Sequence, residues 1–218
     1  MKIISLAAQA LLIIITTALF TSCEKQTVIP YPHYTGPVEQ LVAGYLNADP
    51  SISVNQSNTV DMPFEFGFVF RSSKKGYISG LGVRMPVVGG KYTVSLWDQS
   101  SKQLLRQYQV VNSSTTGFSY VDMEAIGQTV DITDTMKKYV ASVFIKAEGQ
   151  AQPWPSFYLL KPGGTGSALN FIPFSKGSIN CLGTQFTRTP APAFPDQESL
   201  HYDIMNGLCD VSFRATEK

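Results

Sequence analysis

The chain has 218 residues, 44% of them hydrophobic, so it can bury the core of one large all-β domain or of two small ones, and wholesale disorder is excluded. Its 17 basic and 16 acidic residues give a formal net charge of +1, and no extended run of Lys or Arg occurs. This balance argues against a nucleic acid as partner, because binding to phosphates needs a basic surface.

The N-terminus has the pattern of an export signal, with Lys2 followed by an apolar run over residues 6–20. This run is too short and ends too abruptly for a membrane-spanning helix. It stops at L-F-T-S-C, which resembles the end of a bacterial lipoprotein signal. The resemblance implies that residues 1–22 are a signal peptide and that Cys23 is lipidated, which would hold the protein on a membrane. A plain secretory signal with an incidental cysteine is the alternative.

The segment after Cys23 connects the signal to the body of the protein. Residues 23–37 are polar and rich in proline, which predicts a flexible leash, and residues 38–218 would form the folded domain. Apolar side chains at helical spacing predict a short helix over residues 37–46, with an irregular edge strand as the alternative. Residues 49–61 are polar and are predicted to form a loop.

Residues 64–98 carry the strongest strand pattern of the chain. Four phenylalanines occupy alternate positions from Phe64 to Phe70, so they share one face of a strand, and another layer must cover that face. Two further β-rich runs follow after polar turns. Gly80 and Gly82 within the second strand indicate a β-bulge or a close approach of another chain segment.

Turn signals recur roughly every ten residues along the rest of the chain, which is typical of a sandwich or a barrel. Residues 180–198 are rich in proline and threonine and are predicted to wrap the surface. We therefore predict an all-β fold, a single antiparallel β-sandwich of jelly-roll or immunoglobulin-like type with about nine or ten strands. Beyond residue 98, strands are predicted at residues 104–111, 118–123, 138–146, 157–160, 168–174 and 208–215.

Residues 62–146 resemble a family of bacterial β-sandwich domains of unknown function. The resemblance rests on the segments F-E-F-G-F-V-F, G-Y-I-S-G-L-G-V, Y-T-V-S-L-W-D and Y-V-A-S-V, and V-S-L-W-D is its most specific part. Residues 208–213 are similar to the last strand of that family. Such modules occur in exported and cell-surface proteins, often beside sugar-active or adhesive modules. The resemblance therefore implies an uncharacterised domain of the cell envelope.

The whole chain also resembles a lipoprotein of the Bacteroidetes phylum. That resemblance implies a protein anchored in the bacterial outer membrane through its N-terminal lipid, facing either the periplasm or the outside. In this group the segment Asp134-Thr135-Met136 would be a signal for O-glycosylation of Thr135. A chance match of three residues is the alternative.

Two cysteines remain if Cys23 is lipidated, and an exported protein is exposed to conditions in which disulfides form. A bridge between Cys181 and Cys209 would stabilise the fold by roughly 3–4 kcal/mol. Two buried free thiols are the alternative. The sequence leaves both possibilities open.

Residues that catalysis or metal binding needs are scarce. His201 and Asp203 could orient a base, but no G-x-S-x-G motif accompanies any serine. Glu65 and Asp98 lie near strand ends and are interpreted as solvated. Ligand spacing for zinc is absent, and residues 131–134 lack the glycine and glutamate of a calcium-binding EF-hand. We predict no enzymatic activity, no metal site and no cofactor.

Trp154 lies between two prolines at a predicted loop tip, and Phe157 and Tyr158 follow it. Sugars stack their apolar C–H faces on aromatic rings, and two prolines would present the indole at little entropic cost. Packing of Trp154 over the end of the sandwich is the alternative. We predict a lipid-anchored envelope protein that binds a glycan through loops at one end of the sandwich. A structural or protein-interaction lipoprotein, an adhesin or accessory subunit without sugar binding, is the other candidate.

Overall fold

The computed structural model of the chain describes residues 37–161 and 169–217. The predicted signal peptide, Cys23 and nearly all of the predicted leash lie outside these residues. Within the described ranges, no helix has the length and apolar character to cross a membrane. The secondary structure there consists of the helix α1 (Leu41–Ala48) and the strands β1 (Glu39–Gln40), β2 (Ser53–Thr59), β3 (Phe64–Ser72), β4 (Gly76–Arg84), β5 (Lys91–Asp98), β6 (Leu104–Val111), β7 (Ser119–Asp122), β8 (Val130–Ile132), β9 (Tyr139–Phe144), β10 (Trp154–Leu160), β11 (Phe174–Lys176), β12 (Ile179–Arg188), β13 (Gln197–Glu198), β14 (Ile204–Asn206) and β15 (Leu208–Ala215).

These strands form three antiparallel sheets. The five-stranded sheet has the order β1-β15-β4-β7, and β8 also pairs with β4. The seven-stranded sheet has the order β11-β12-β3-β9-β5-β6, and β13 pairs with β12. The three-stranded sheet has the order β14-β10-β2. The prediction of a mainly antiparallel β fold is confirmed, but the predicted strand count is wrong. The described residues form 15 strands, because pairings of two to four residues leave no periodicity in the sequence.

One buried cluster joins the two larger sheets. On β3, Phe68 and Phe70 are only 0% and 1% exposed, whereas Phe64 and Phe66 at the start of the strand are partly buried. The predicted alternation of the phenylalanines is therefore correct, but they are fully covered only at the Phe68 and Phe70 end of the strand. The five-stranded sheet contributes to the same cluster with Ile78, Leu81, Val211 and Phe213.

Both described cysteines are buried and free, so the disulfide that the sequence left open is not formed. The thiol of Cys209 donates to the carbonyl of Ala141 on β9 at 3.4 Å, and the thiol of Cys181 donates to the carbonyl of Gly183 at 3.8 Å. Burial raises the pKa of Cys181 to about 12. Burial therefore keeps both thiols protonated, and a protonated thiol is a poor nucleophile.

The helix and the first strand combine the two interpretations that the sequence left open for residues 37–46. Glu39 and Gln40 pair with β15 as the short edge strand β1, and the chain then turns directly into α1. Leu41 and Val42 are the buried residues of that helix. The apolar spacing therefore identified the helix, but the pairing of its first residues depends on a strand at the other end of the chain.

Three predictions about strands differ from the structure. The predicted loop at residues 49–61 contains β2, which is polar because it forms the exposed edge of the three-stranded sheet. The segment predicted to wrap the surface begins with β12, a full strand beside β3 with a register shift between Cys181 and Gly183. The strand predicted at residues 168–174 is limited to β11, which begins only at Phe174.

Gly80 and Gly82 of β4 show the two features that the sequence predicted for them. The register between β4 and β15 shifts between Ser212 and Phe213, opposite Gly80. Any side chain at Gly82 would overlap the ring of Tyr120, which lies directly on this glycine. Gly82 therefore makes room for an aromatic side chain on the outer part of the five-stranded sheet.

Candidate binding cleft

Trp154 does not lie at an exposed loop tip, so this prediction is wrong. It is the first residue of β10, it is 6% exposed, and it belongs to the main buried cluster. The indole N–H donates to the carbonyl of Gln150 at 3.2 Å, and the ammonium of Lys146 lies 5.7 Å from the ring centroid. The pairing of β10 with β2 draws the indole into the core, which is the packing alternative.

Phe157 and Tyr158, the other two predicted ligand residues, are partly buried neighbours on β10. Because successive side chains of a strand point to opposite faces, these two rings do not share one surface. The ring of Phe157 lies under the guanidinium of Arg84, with 5.6 Å between the Cζ atom and the ring centroid. Of the three predicted ligand residues, Phe157 is thus the one that contacts a residue lining a cleft, namely Arg84.

A cleft of about 420 Å³ lies between α1, the end of β4 and the connection from β6 to β7. Its volume falls within the usual range for small-molecule sites, and three other clefts measure about 180–190 Å³. We call it the Arg84 cleft. The side chains that could contact a ligand there include Gln40, Asn47, Arg84, Thr116, Phe118 and Tyr120.

Two aromatic rings form one wall of the Arg84 cleft. The ring centroids of Phe118 and Tyr120 are 6.1 Å apart, with 36° between their planes. Tyr120 is fixed at both ends, because its ring packs on Gly82 and its hydroxyl donates to Oδ2 of Asp210 at 2.6 Å. The wall is therefore preorganised, which lowers the entropic cost of ligand binding.

The buried carboxyl of Asp210 joins this wall to the helix α1, which also borders the cleft. It accepts the backbone N–H groups of Val42 at 2.7 Å and Ala43 at 3.0 Å, besides the hydroxyl of Tyr120. These N–H groups belong to the first turn of α1, whose N-cap residue Gln40 supplies no side-chain cap. Burial raises the pKa of Asp210, while its hydrogen-bond donors act in the opposite direction. One residue thus positions two walls of the cleft.

Arg84 brings a positive charge to the Arg84 cleft. Its Nε donates to the carbonyl of Thr115 at 2.8 Å, and its guanidinium lies over Phe157. Partial burial lowers the pKa of Arg84, but a guanidinium remains protonated in proteins. The bond and the ring together fix the plane of this cation.

The sequence analysis missed these residues, because they come from four separate segments without a shared motif. Two signals could have led to them. Gly82 interrupts a strand where an aromatic ring approaches, and Asp210 interrupts the apolar pattern of the closing strand L-C-D-V-S-F. An acidic side chain in a buried strand needs several donors around it, which marks a junction between elements.

Glu65 and Asp98 are not solvated, contrary to the prediction. Glu65 is 0% exposed, and Asp98 is 7% exposed. The hydroxyl of Ser142 donates to Oε1 of Glu65 at 2.5 Å and accepts the indole N–H of Trp97 at 2.8 Å. Desolvation raises the pKa of Glu65 to about 8. In contrast, hydrogen bonds, above all from Lys137 with Nζ 2.6 Å from Oδ2, lower the pKa of Asp98.

Other predicted positions are placed as follows. Within residues 37–161 and 169–217, no group of three or more His, Cys, Asp or Glu side chains could hold a metal ion. His201 lies in the connection between β13 and β14, with Nδ1 3.8 Å from Oδ1 of Asp203. Thr135 is partly buried between β8 and β9, and its O-glycosylation stays a prediction.

A comparison with models of protein families gave a match over most of the chain. The model of a family described as "Domain of unknown function (DUF4082)" matches residues 49–202. No curated protein matches the chain. The matched region contains Arg84 and the Phe118–Tyr120 wall, whereas α1 and Asp210 lie outside it. The predicted resemblance to an uncharacterised domain family is confirmed at this level.

Proposed function

Because the chain belongs to the DUF4082 family, to which no function is assigned, we propose its function from its own cleft: it is a glycan-binding protein of the bacterial cell envelope. The observation that carries this proposal is the preorganised pair Phe118 and Tyr120 beside polar side chains. Aromatic rings contact the C–H faces of sugars, and amide and guanidinium groups hydrogen-bond to their hydroxyls. The Arg84 cleft combines both in one small-molecule-sized space.

The scaffold that we propose for this site is a β-sandwich of the five-stranded and seven-stranded sheets. Support comes from the buried cluster that both sheets share and from the contact of Cys209 with Ala141 between β15 and β9. The cleft would then be built by connecting segments at its margin, as predicted, although from other residues than Trp154.

Replacing Phe118 with alanine is expected to weaken glycan binding about tenfold, because an aromatic contact contributes on the order of 1 kcal/mol or more. A glycan array with the wild-type protein would identify a ligand, and titration calorimetry with the best-bound oligosaccharide would give both affinities. Tyr202→Ala is the matched control, since Tyr202 is 38% exposed and lies outside the cleft. An array without any bound glycan, or equal losses in the two variants, would contradict the proposed site.

We further propose that the protein is a lipoprotein of the Bacteroidetes type, anchored in the outer membrane through Cys23. This proposal rests on the sequence of the signal alone. Cys23→Ala is expected to move the protein from the membrane fraction to the soluble fraction, because the acyl chains supply the membrane affinity. Cys181→Ala is the matched control and should stay with the membrane. Fractionation of Cys23→Ala with the membrane at the wild-type level would refute the anchor.

A structural or protein-interaction role, as an adhesin or accessory subunit, remains the second candidate. Its candidate contact residues are exposed apolar side chains, such as Leu200 at 79% exposure and Val60 at 57% exposure. Co-purification with an envelope protein, lost in Leu200→Ser, together with an array that shows no sugar, would support this role over glycan binding.

A further inference from the structure

The guanidinium of Arg84 has no acidic partner in the described part of the chain. The five ion pairs found there involve other residues. Its Nε is engaged by Thr115, and neither Nη1 nor Nη2 donates a hydrogen bond to a described protein atom. Because the guanidinium is only partly buried, these two atoms are open to solvent and available to a ligand.

The surroundings of this cation favour an anion. Among the described residues, the side chains that line the Arg84 cleft include no carboxylate. The buried acid Asp210 directs its oxygens to the hydroxyl of Tyr120 and to the helix N–H groups of Val42 and Ala43. The Asp210 charge is thus satisfied by these donors, and the cleft itself presents a single positive group.

The orientation of the guanidinium indicates which kind of anion fits the Arg84 cleft. Because Nε is tied to Thr115 and the plane is held over Phe157, the edge that carries the two Nη atoms is the part left for a ligand. That edge matches the two oxygens of a carboxylate, to which arginine donates two parallel hydrogen bonds. The aromatic wall and the amides of Gln40 and Asn47 suit a sugar ring next to it.

We propose that the Arg84 cleft selects acidic sugars and that Arg84 binds their carboxylate. This inference rests on the proposed function and adds the chemical class of the ligand. Uronic acids and sialic acids carry such a carboxylate on or beside the ring. Sulfated and phosphorylated sugars carry a tetrahedral anion instead, and the experiment separates the two.

The test uses the full-length protein in detergent and a set of uronic-acid and sialic-acid oligosaccharides, each paired with its carboxyl-reduced, neutral counterpart. We expect at least one acidic member to bind about tenfold or more tightly than its neutral counterpart, and this preference to weaken as salt is added. Arg84→Gln should remove the preference, so that each acidic member and its neutral counterpart bind this variant with affinities within about threefold of each other. Arg84→Lys should retain part of the preference, because the charge remains and the fork is lost.

Each outcome separates this inference from the proposed function. Binding of neutral glycans without preference for any acidic member would overturn the inference and leave the glycan-binding function intact. An acidic preference that survives in Arg84→Gln would overturn the assignment to Arg84. Tighter binding of a sulfated oligosaccharide than of every carboxylated one would overturn the assignment of a carboxylate as the group that Arg84 binds. The absence of any bound glycan would overturn the proposed function itself.

Discussion

Replacing Asp210 with alanine is expected to lower the free energy of unfolding by about 3–5 kcal/mol. The carboxyl is fully buried and accepts hydrogen bonds from Val42, Ala43 and Tyr120. Its removal leaves these donors without an acceptor in the interior, and the first turn of α1 loses its only side-chain acceptor among the described residues. The free energy of unfolding should therefore fall several times more than it does when an ordinary surface hydrogen bond is removed.

Urea denaturation of Asp210→Ala and Asp122→Ala measures this difference. Asp122 is the matched control, because its carboxyl also accepts two backbone N–H groups, those of Glu124 at 3.0 Å and Ala125 at 2.9 Å, but is exposed. We expect Asp122→Ala to cost about 1 kcal/mol or less. Equal losses in the two variants would show that Asp210 does not hold α1 and Tyr120 together.

The stability of the wild-type protein is expected to fall by up to about 1.4 kcal/mol per pH unit between pH 5 and pH 8, because Glu65 is buried. Its pKa rises from 4.5 to about 8 on folding, so the folded state holds a proton that the unfolded state has lost at these pH values. The protein is therefore most stable below the pKa that Glu65 has in the unfolded state. This stability is lost as the pH rises to and through the pKa that Glu65 has in the folded state. Above pH 8, the folded state must bury a charge.

Glu65→Gln should remove this slope, because the amide keeps the shape of the side chain and does not ionise. Denaturation midpoints from pH 5 to pH 8.5 would show a clearly shallower fall for the variant than for the wild type, with the variant more stable at the upper end by up to about 4 kcal/mol. Glu148→Gln is the matched control, since that side chain is 65% exposed, and it should retain the wild-type slope. The prediction fails if wild type and Glu65→Gln give parallel curves.

The cover over Glu65 explains why ionisation should be so costly. Phe194 packs edge-on against Trp97, with 5.8 Å between ring centroids, and the backbone of Ala193 interacts with the Glu65 carboxyl. Oε2 of Glu65 has no hydrogen-bond partner among the described residues. Trp97 lies in a second buried cluster with Val69 and Val140.

The strands that the sequence predicted best have one face in the core. The predicted strands at residues 104–111 and 208–215 coincide with β6 and β15, and the row that begins at Phe64 starts β3. In each of these strands, apolar residues recur with the period of two that a pleated strand imposes. β2 and β12 lack this clear pattern, since β2 is a polar edge strand and β12 is interrupted by a register shift at Gly183.

The residues of the site were beyond what local patterns could predict. Arg84, Tyr120 and Asp210 lie far apart in the chain, and their meeting depends on the pairing of β4 with both β7 and β15. Trp154, in contrast, was predicted to belong to the site and does not. Its two flanking prolines suggested exposure, whereas its pairing with Thr59 of β2 buries it. A residue's exposure is set by the segments that cover it, and these can come from anywhere in the chain.

The sequence by itself determined the antiparallel β class, the position of the longest regular strands and membership of an uncharacterised domain family, because alternation is a local property that each strand carries within itself. Only the tertiary structure decided that Trp154 and Glu65 are buried, that Cys181 and Cys209 are free, and that Arg84, which has no counter-charge among the described residues, borders the largest of the four clefts. These outcomes depend on contacts between distant segments, which fold together to bury apolar surface and leave single polar groups wherever the sheets meet.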